Sequence, residues 1–261
     1  MRFGLDVSVQ TKINQSAVLF LHAFPVNQDM WAPQMAALRN AGVPYLAFDY
    51  PGMGASLPWP HTPTIGDYAD LAYRVGREAG IDQAIVVGLS MGGYVALALF
   101  RQHPEFFKGL ILADTRATAD PPEGRQRRYQ LIQKIQQSGD LDEIIQFHIE
   151  KFFTAETRQK RPELVITARR LMQRATNQGV IHALQAMAER PDSTDLLPGM
   201  HFPVRVIVGE EDELTNVADS QKMIEKLPQG ELITIPGAAH LSNLERPDIF
   251  NQALVDFVKS L

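Results

Sequence analysis

The chain has 261 residues, 45% of them hydrophobic, and a formal net charge of −5. That size suits one large domain or a core with an insertion, and the mixed charge argues against a nucleic-acid partner gripped through its phosphates. With no cysteine, disulfides and thiolate metal sites are excluded. No stretch approaches the roughly 20 apolar residues of a membrane helix, and Met1-Arg2-Phe3-Gly4-Leu5-Asp6 has no apolar run of signal-peptide length, so a cytoplasmic protein without a membrane partner is expected.

Apolar runs at 17–21, 45–48, 84–87, 110–113, 204–208 and 232–235 read as buried parallel strands. Helical patterns at 31–41, 65–79, 91–102, 218–227 and 247–261 separate or follow them. The alternation predicts an α/β fold with a doubly wound, mostly parallel sheet covered on both faces. It fails between 116 and 198, where helical spacing continues with no convincing strand. The expected organisation is a core of residues 1–115 and 199–261 with a helical cap at 116–198. The apolar stripes of that insertion, Phe147, Ile149, Phe152 and Ile166 among them, are expected to be core, with one face free to roof a pocket.

In such sheets function gathers at the carboxyl ends of the strands. The first strand runs into His22-Ala23-Phe24-Pro25 and the second into Asp49-Tyr50-Pro51-Gly52-Met53-Gly54. The third runs into Gly88-Leu89-Ser90-Met91-Gly92-Gly93 and then a helix. A serine on such a strained turn presents its hydroxyl at the sheet end, and small neighbours give the backbone room. A serine nucleophile needs a base, and the base needs an acid to fix its tautomer. His240, in the small-residue loop Pro236-Gly237-Ala238-Ala239-His240, is the candidate base. His103 at a helix end reads better as a favourable cation there, and His61, His148, His182 and His201 lie outside the strand-end loops. Glu210, Glu211 and Asp212 follow the fifth strand, and Asp212 sits far enough on to turn back toward His240. Asp114, after the fourth strand, is the rival acid. Backbone N–H groups of Met91 and Phe24 are the expected oxyanion donors. His22 is expected to orient its loop by hydrogen bonding, and His22, Trp31 and Met53 are candidate pocket residues. Gly52-Met53-Gly54 lacks the spacing of a phosphate loop, and nothing calls for a metal or nucleotide cofactor.

These motifs, in this order, resemble the α/β-hydrolase superfamily. The stretch His240-Leu241-Ser242-Asn243-Leu244-Glu245-Arg246-Pro247 is similar to the branch containing 3-oxoadipate enol-lactonases and small carboxylesterases. The resemblance puts the family's nucleophile on Ser90, its acid on Asp212, its base on His240 and its oxyanion amides on Phe24 and Met91. It implies hydrolysis of a small ester or lactone. The chain departs from the pattern in having Ala23 where glycine is usual, and in carrying Trp31 and Trp59 outside the insertion. The same triad on this fold also serves perhydrolysis, cofactor-free haloperoxidase chemistry and carbon–carbon cleavage. A signalling protein that binds a small effector in the same pocket is the alternative from another class.

Overall fold

A computed structural model describes residues 7–9 and 15–261; the stretch Met1 to Asp6, in which no signal peptide was expected, lies outside the described residues. Seven strands form one sheet: β1 Val7–Val9, β2 Gln15–Leu21, β3 Tyr45–Phe48, β4 Ile81–Leu89, β5 Phe107–Ala113, β6 Val204–Gly209 and β7 Gly230–Ile235. Their order is β1-β3-β2-β4-β5-β6-β7. All neighbours are parallel except β1, which runs antiparallel to β3 with Val7 opposite Phe48.

The central strands are continuous apolar runs because both faces are covered. Val18, Leu19, Phe20 and Leu21 are all fully buried. Successive side chains alternate between two apolar layers. Leu19, Leu21, Val86, Leu110 and Leu112 face one layer, with Tyr68 and Leu71 of α2 (Ile65–Glu78) and Val95 and Leu99 of α3 (Met91–Gln102). Val18, Phe20, Val87 and Ile111 face the other, with Leu38 of α1 (Ala32–Asn40) and Phe250 and Leu254 of α11 (Pro247–Lys259). The order of the strands reverses between β2 and β4, paired with Leu21 beside Gly88. The crevice at such a reversal is where open α/β sheets place their ligands.

Between β5 and β6 the chain forms five α-helices: α4 Pro122–Ser138, α5 Asp142–Phe152, α6 Ala155–Lys160, α7 Pro162–Met172 and α8 Asn177–Ala188. Local chemistry sets several of their ends. Gly139 closes α4 in the left-handed conformation at φ 75°. Thr154 and Thr176 cap α6 and α8 by accepting from Thr157 N–H and Gly179 N–H. The insertion is tied to the core at separate points. Thr176 N–H donates to the Gly52 carbonyl at 2.8 Å, Asn27 Nδ2 to the Leu171 carbonyl at 2.9 Å, and Leu241 N–H to the Phe152 carbonyl at 3.0 Å. Gly179 lies so close to Gly52 that a Cβ on either would meet the other's backbone at 2.5 Å or less.

One strand and one α-helix were not expected from sequence, β1 and the short α10 (Ser242–Glu245). β6 and β7 are followed by α9 (Val217–Ile224) and α10 respectively. The apolar stripe of the insertion needs one correction: Phe147 and Ile166 are 44% and 49% exposed and do not belong to the core.

Candidate active site

The turn after β4 is built around Ser90, whose backbone sits at φ 55°, ψ −115°. A non-glycine residue at positive φ carries strain of about 1–3 kcal/mol and persists only where its surroundings hold it. Here Ser90 N–H donates to the Ala113 carbonyl at 2.9 Å, and the Ser90 carbonyl accepts from Thr115 Oγ1 at 2.8 Å. The flanking glycines are obligatory for space. A Cβ on Gly88 would meet the Gly92 carbonyl at 2.3 Å, and one on Gly92 would meet the Leu21 carbonyl at 2.0 Å.

Three strand-end loops bring the polar groups together. The Ser90 hydroxyl donates to His240 Nε2 at 2.8 Å, and His240 Nδ1–H donates to Asp212 Oδ2 at 2.8 Å. Asp212 is itself held: Oδ1 accepts from Leu214 N–H at 2.8 Å and Thr215 N–H at 3.0 Å, and Oδ2 accepts from Thr215 Oγ1 at 2.7 Å. His240 and Asp212 are buried. Burial disfavours the imidazolium, but the charge and hydrogen bond of Asp212 hold the His240 pKa above the ordinary histidine value. Burial also opposes ionisation of Asp212, yet the His240 charge and the hydrogen bonds keep its carboxyl below the usual range. Such a relay can take the proton from a serine as it attacks a carbonyl.

Asp114 does not point at His240. Its Oδ1 accepts from Gly209 N–H at 2.8 Å and its Oδ2 from Ser242 Oγ at 2.5 Å. It therefore links the start of the loop that carries Asp212 to the helix that follows His240. Burial, with the nearby Asp212 charge, pushes the Asp114 pKa well up. Glu245 links the same loop to the insertion, accepting from Ala239 N–H at 2.7 Å, Thr154 N–H at 2.9 Å and Thr154 Oγ1 at 2.8 Å. Neither bridging role was visible in sequence.

His22 is buried between two backbone groups. Nδ1–H donates to the Ala23 carbonyl at 2.8 Å, and Nε2 accepts from Tyr50 N–H at 3.0 Å, which sets the tautomer. Burial lowers its pKa to about 4, so the ring is neutral at pH 7. The expectation that His22, Trp31 and Met53 line the pocket is corrected. Trp31 is buried and stacks on Phe20 at 4.8 Å between ring centroids, and Met53 is buried in the opposite apolar layer. Both fill core space, Trp31 from the short 3₁₀ turn Gln28–Trp31 and Met53 among the apolar residues that include Tyr50 and Tyr68.

Above Ser90 and His240 lies a cavity of about 460 Å³, within the usual size for a small-molecule site. Phe24 lines it from the loop after β2, and Leu131, Phe147, Leu184 and Met187 line it from the insertion. His148 also reaches it, edge-on to Phe24 at 5.4 Å, although its place inside α5 had put it outside the site. Its Nδ1–H donates to the Ile144 carbonyl at 2.8 Å, and burial lowers its pKa to about 4. Arg116, Arg127, Arg128 and Lys134 line the same cavity. The residues of α4, α5 and α8 meet the site only through tertiary packing, so no local pattern announces them.

This fold and this arrangement at the strand ends have a known class. A sequence profile described as the alpha/beta hydrolase family matches residues 18–253, and the chain belongs to that family. It is 28% identical to a 3-oxoadipate enol-lactonase of Acinetobacter baylyi, over 98% of this chain and 93% of that one. It is 30% identical to a pimeloyl-[acyl-carrier protein] methyl ester esterase of Neisseria meningitidis, over 93% of this chain and 92% of that one. Among solved structures, a thermophilic esterase from Thermogutta terrifontis with malate bound superposes with a TM-score of 0.89 at 31% identity, covering 98% of this chain and 93% of that one.

Proposed function

We propose that this protein is a serine hydrolase that cleaves small carboxylic esters or lactones through an acyl-enzyme. The observation that carries the reading is the unbroken relay from Ser90 through His240 to Asp212, with 2.8 Å at both links, opening into the cavity. Residues 116–198 serve as its cap.

Ser90 Oγ attacks the substrate carbonyl while His240 Nε2 takes its proton, and the negative charge of Asp212 stabilises the imidazolium. The tetrahedral oxyanion is held by the backbone N–H groups of Met91, at the free start of α3, and of Phe24. The C–O bond to the leaving group then breaks, and His240 protonates the departing alkoxide. Water enters, gives its proton to His240 and attacks the acyl carbonyl. Collapse of the second tetrahedral intermediate returns the proton to Ser90 and releases the acid.

Ser90→Ala tests this. Turnover of a short-chain aryl ester is expected to fall by about a millionfold, the order found for loss of a triad nucleophile. Labelling by a fluorophosphonate probe should map to Ser90 and disappear in the variant. A variant that keeps a tenth of the activity, or a label on another residue, overturns the assignment.

A further inference from the structure

We propose that the substrate carries a free carboxylate, which the guanidinium groups of Arg116, Arg127 and Arg128 bind inside the cavity that holds Ser90; this rests on the hydrolase reading above. The carrying observation is a local surplus of positive charge. Asp120 has a fully buried carboxylate. Its Oδ1 accepts from Arg116 Nη2 and Arg190 Nη2, each at 2.8 Å, and its Oδ2 accepts from Arg128 Nε at 2.5 Å. Three cations therefore share one hydrogen-bonded anion, with the charges of Asp219 and Asp192 acting on Arg116 and Arg190 from farther off. Burial opposes ionisation of Asp120, but Arg190 and Arg128 outweigh it and hold the carboxyl far below its usual range.

The three arginines are not equivalent. Arg190 is buried, and its remaining bonds go to the Met187 and Thr118 carbonyls at 2.8 and 3.0 Å, which ties α8 to the loop before α4. Arg116 and Arg128 line the cavity and keep about a fifth of their side-chain surface open. Arg116 Nε is buried with no hydrogen-bond partner. Arg127, one residue along α4, also lines the cavity. Its guanidinium contacts the Glu123 carbonyl at 3.3 Å, and among the described residues it makes no ion pair. Lys134 and Glu213 add nothing to the surplus, because Glu143 and Lys151 pair with them.

Uncompensated charge at a part-buried site is unfavourable, and an incoming anion removes that cost. A carboxylate matches the planar fork of a guanidinium, and Arg116 and Arg128 each spend only one N–H on Asp120. The apolar surface that Leu131, Leu184 and Met187 give the same cavity suits a short hydrocarbon spacer. The charge of Arg116 also opposes protonation of His240, which puts the cationic end within electrostatic reach of the catalytic base. The inferred substrate is an ester or lactone with an apolar spacer and a terminal carboxylate.

Two ester pairs test this. One compares the monomethyl and dimethyl esters of a straight-chain dicarboxylic acid, which places the charge on the acyl side. The other compares the acetyl ester of an ω-hydroxy acid with its methyl ester, which places it on the alcohol side. In at least one pair the anion should be preferred by about tenfold or more in kcat/KM at low salt, the order expected for one charge-assisted hydrogen bond. In Arg127→Gln and Arg128→Gln that preference should fall toward one, and Arg128→Lys should recover part of it. Arg127 makes only a backbone contact, so its variant stands even where Arg128→Gln misfolds. Calorimetric binding of the four esters to Ser90→Ala reads recognition without turnover. Equal kcat/KM and equal binding within both pairs, or ratios untouched in both arginine variants, overturn the proposal. A chain that binds the anions tenfold tighter but hydrolyses none of the four keeps the carboxylate site and loses the hydrolase reading instead.

Discussion

In the proposed reaction His240 must be neutral to take the Ser90 proton, and its surroundings raise its pKa above the ordinary 6.5. The reactive form therefore grows as pH rises. We expect kcat/KM to climb with pH along a limb whose midpoint lies above 6.5, read from a pH–rate profile on a neutral ester. Asp212→Asn should lower kcat by about 10⁴, because the wrong tautomer is then favoured. Asp114 is expected to act as a positioning residue. Asp114→Ala frees Gly209 N–H and Ser242 Oγ, whose bonds hold the loops of the acid and the base. It should cut kcat while KM stays within about twofold. Asp114→Asn keeps an acceptor for Gly209 and offers a donor to Ser242, so it should restore most of the rate. The relay was readable in sequence because each member follows a strand end in a short, glycine-marked loop. Which of Asp114 and Asp212 faces the ring was not, since both stand after strands and only the three-dimensional turn of each loop separates them. Trp31 misled for a related reason: an aromatic after a catalytic loop fits a pocket or a core equally, and packing against Phe20 and Phe250 decides.

At the scale of elements, the parallel strands and the helices between them were legible because burial on both faces leaves unbroken apolar runs. β1 was not, because three residues carry too little periodicity at a sheet edge. α10 was hidden inside the histidine loop. The insertion was legible as helices but not as a surface, since Asp120 gathers its arginines from three separate places: Arg116 before α4, Arg128 on α4 and Arg190 after α8. Glu245 links this insertion to the loop that carries His240. Glu245→Ala leaves Ala239 N–H, Thr154 N–H and Thr154 Oγ1 without their acceptor in a buried site. Stability should fall by about 3 kcal/mol or more, measured as a shift in urea midpoint at unchanged m-value. Gly179→Ala drives a methyl into the Gly52 backbone, 2.5 Å from its carbonyl oxygen. That variant should be destabilised by about 1–3 kcal/mol, by the same assay.

For the whole molecule, acid sensitivity follows from two buried imidazoles. His22 and His148 each have a pKa lowered to about 4 from 6.5. Between those values the unfolded chain takes up protons that the native chain refuses. Stability is therefore complete above about pH 6.5 and is lost as pH falls toward 4, by roughly 3 kcal/mol for each ring. Urea midpoints at pH 7 and pH 4.5 should show the drop, and His148→Gln should reduce it by nearly half. An unchanged difference in that variant would show that the acid loss has another origin.

On the proposed mechanism, the strained turn at Ser90 sets activity against durability. Glycine adopts φ 55°, ψ −115° as readily as its mirror image, whereas alanine keeps the strain. Both Ser90→Gly and Ser90→Ala lose the hydroxyl, so comparing them isolates the backbone. The glycine variant should be the more stable of the two by about 1 kcal/mol after its greater unfolded-state freedom is counted, or about 3 °C in Tm for a chain of this size. Selection for thermal robustness alone would then drift toward folded, inert proteins at this position. Any screen for hardier variants has to score turnover in the same pass.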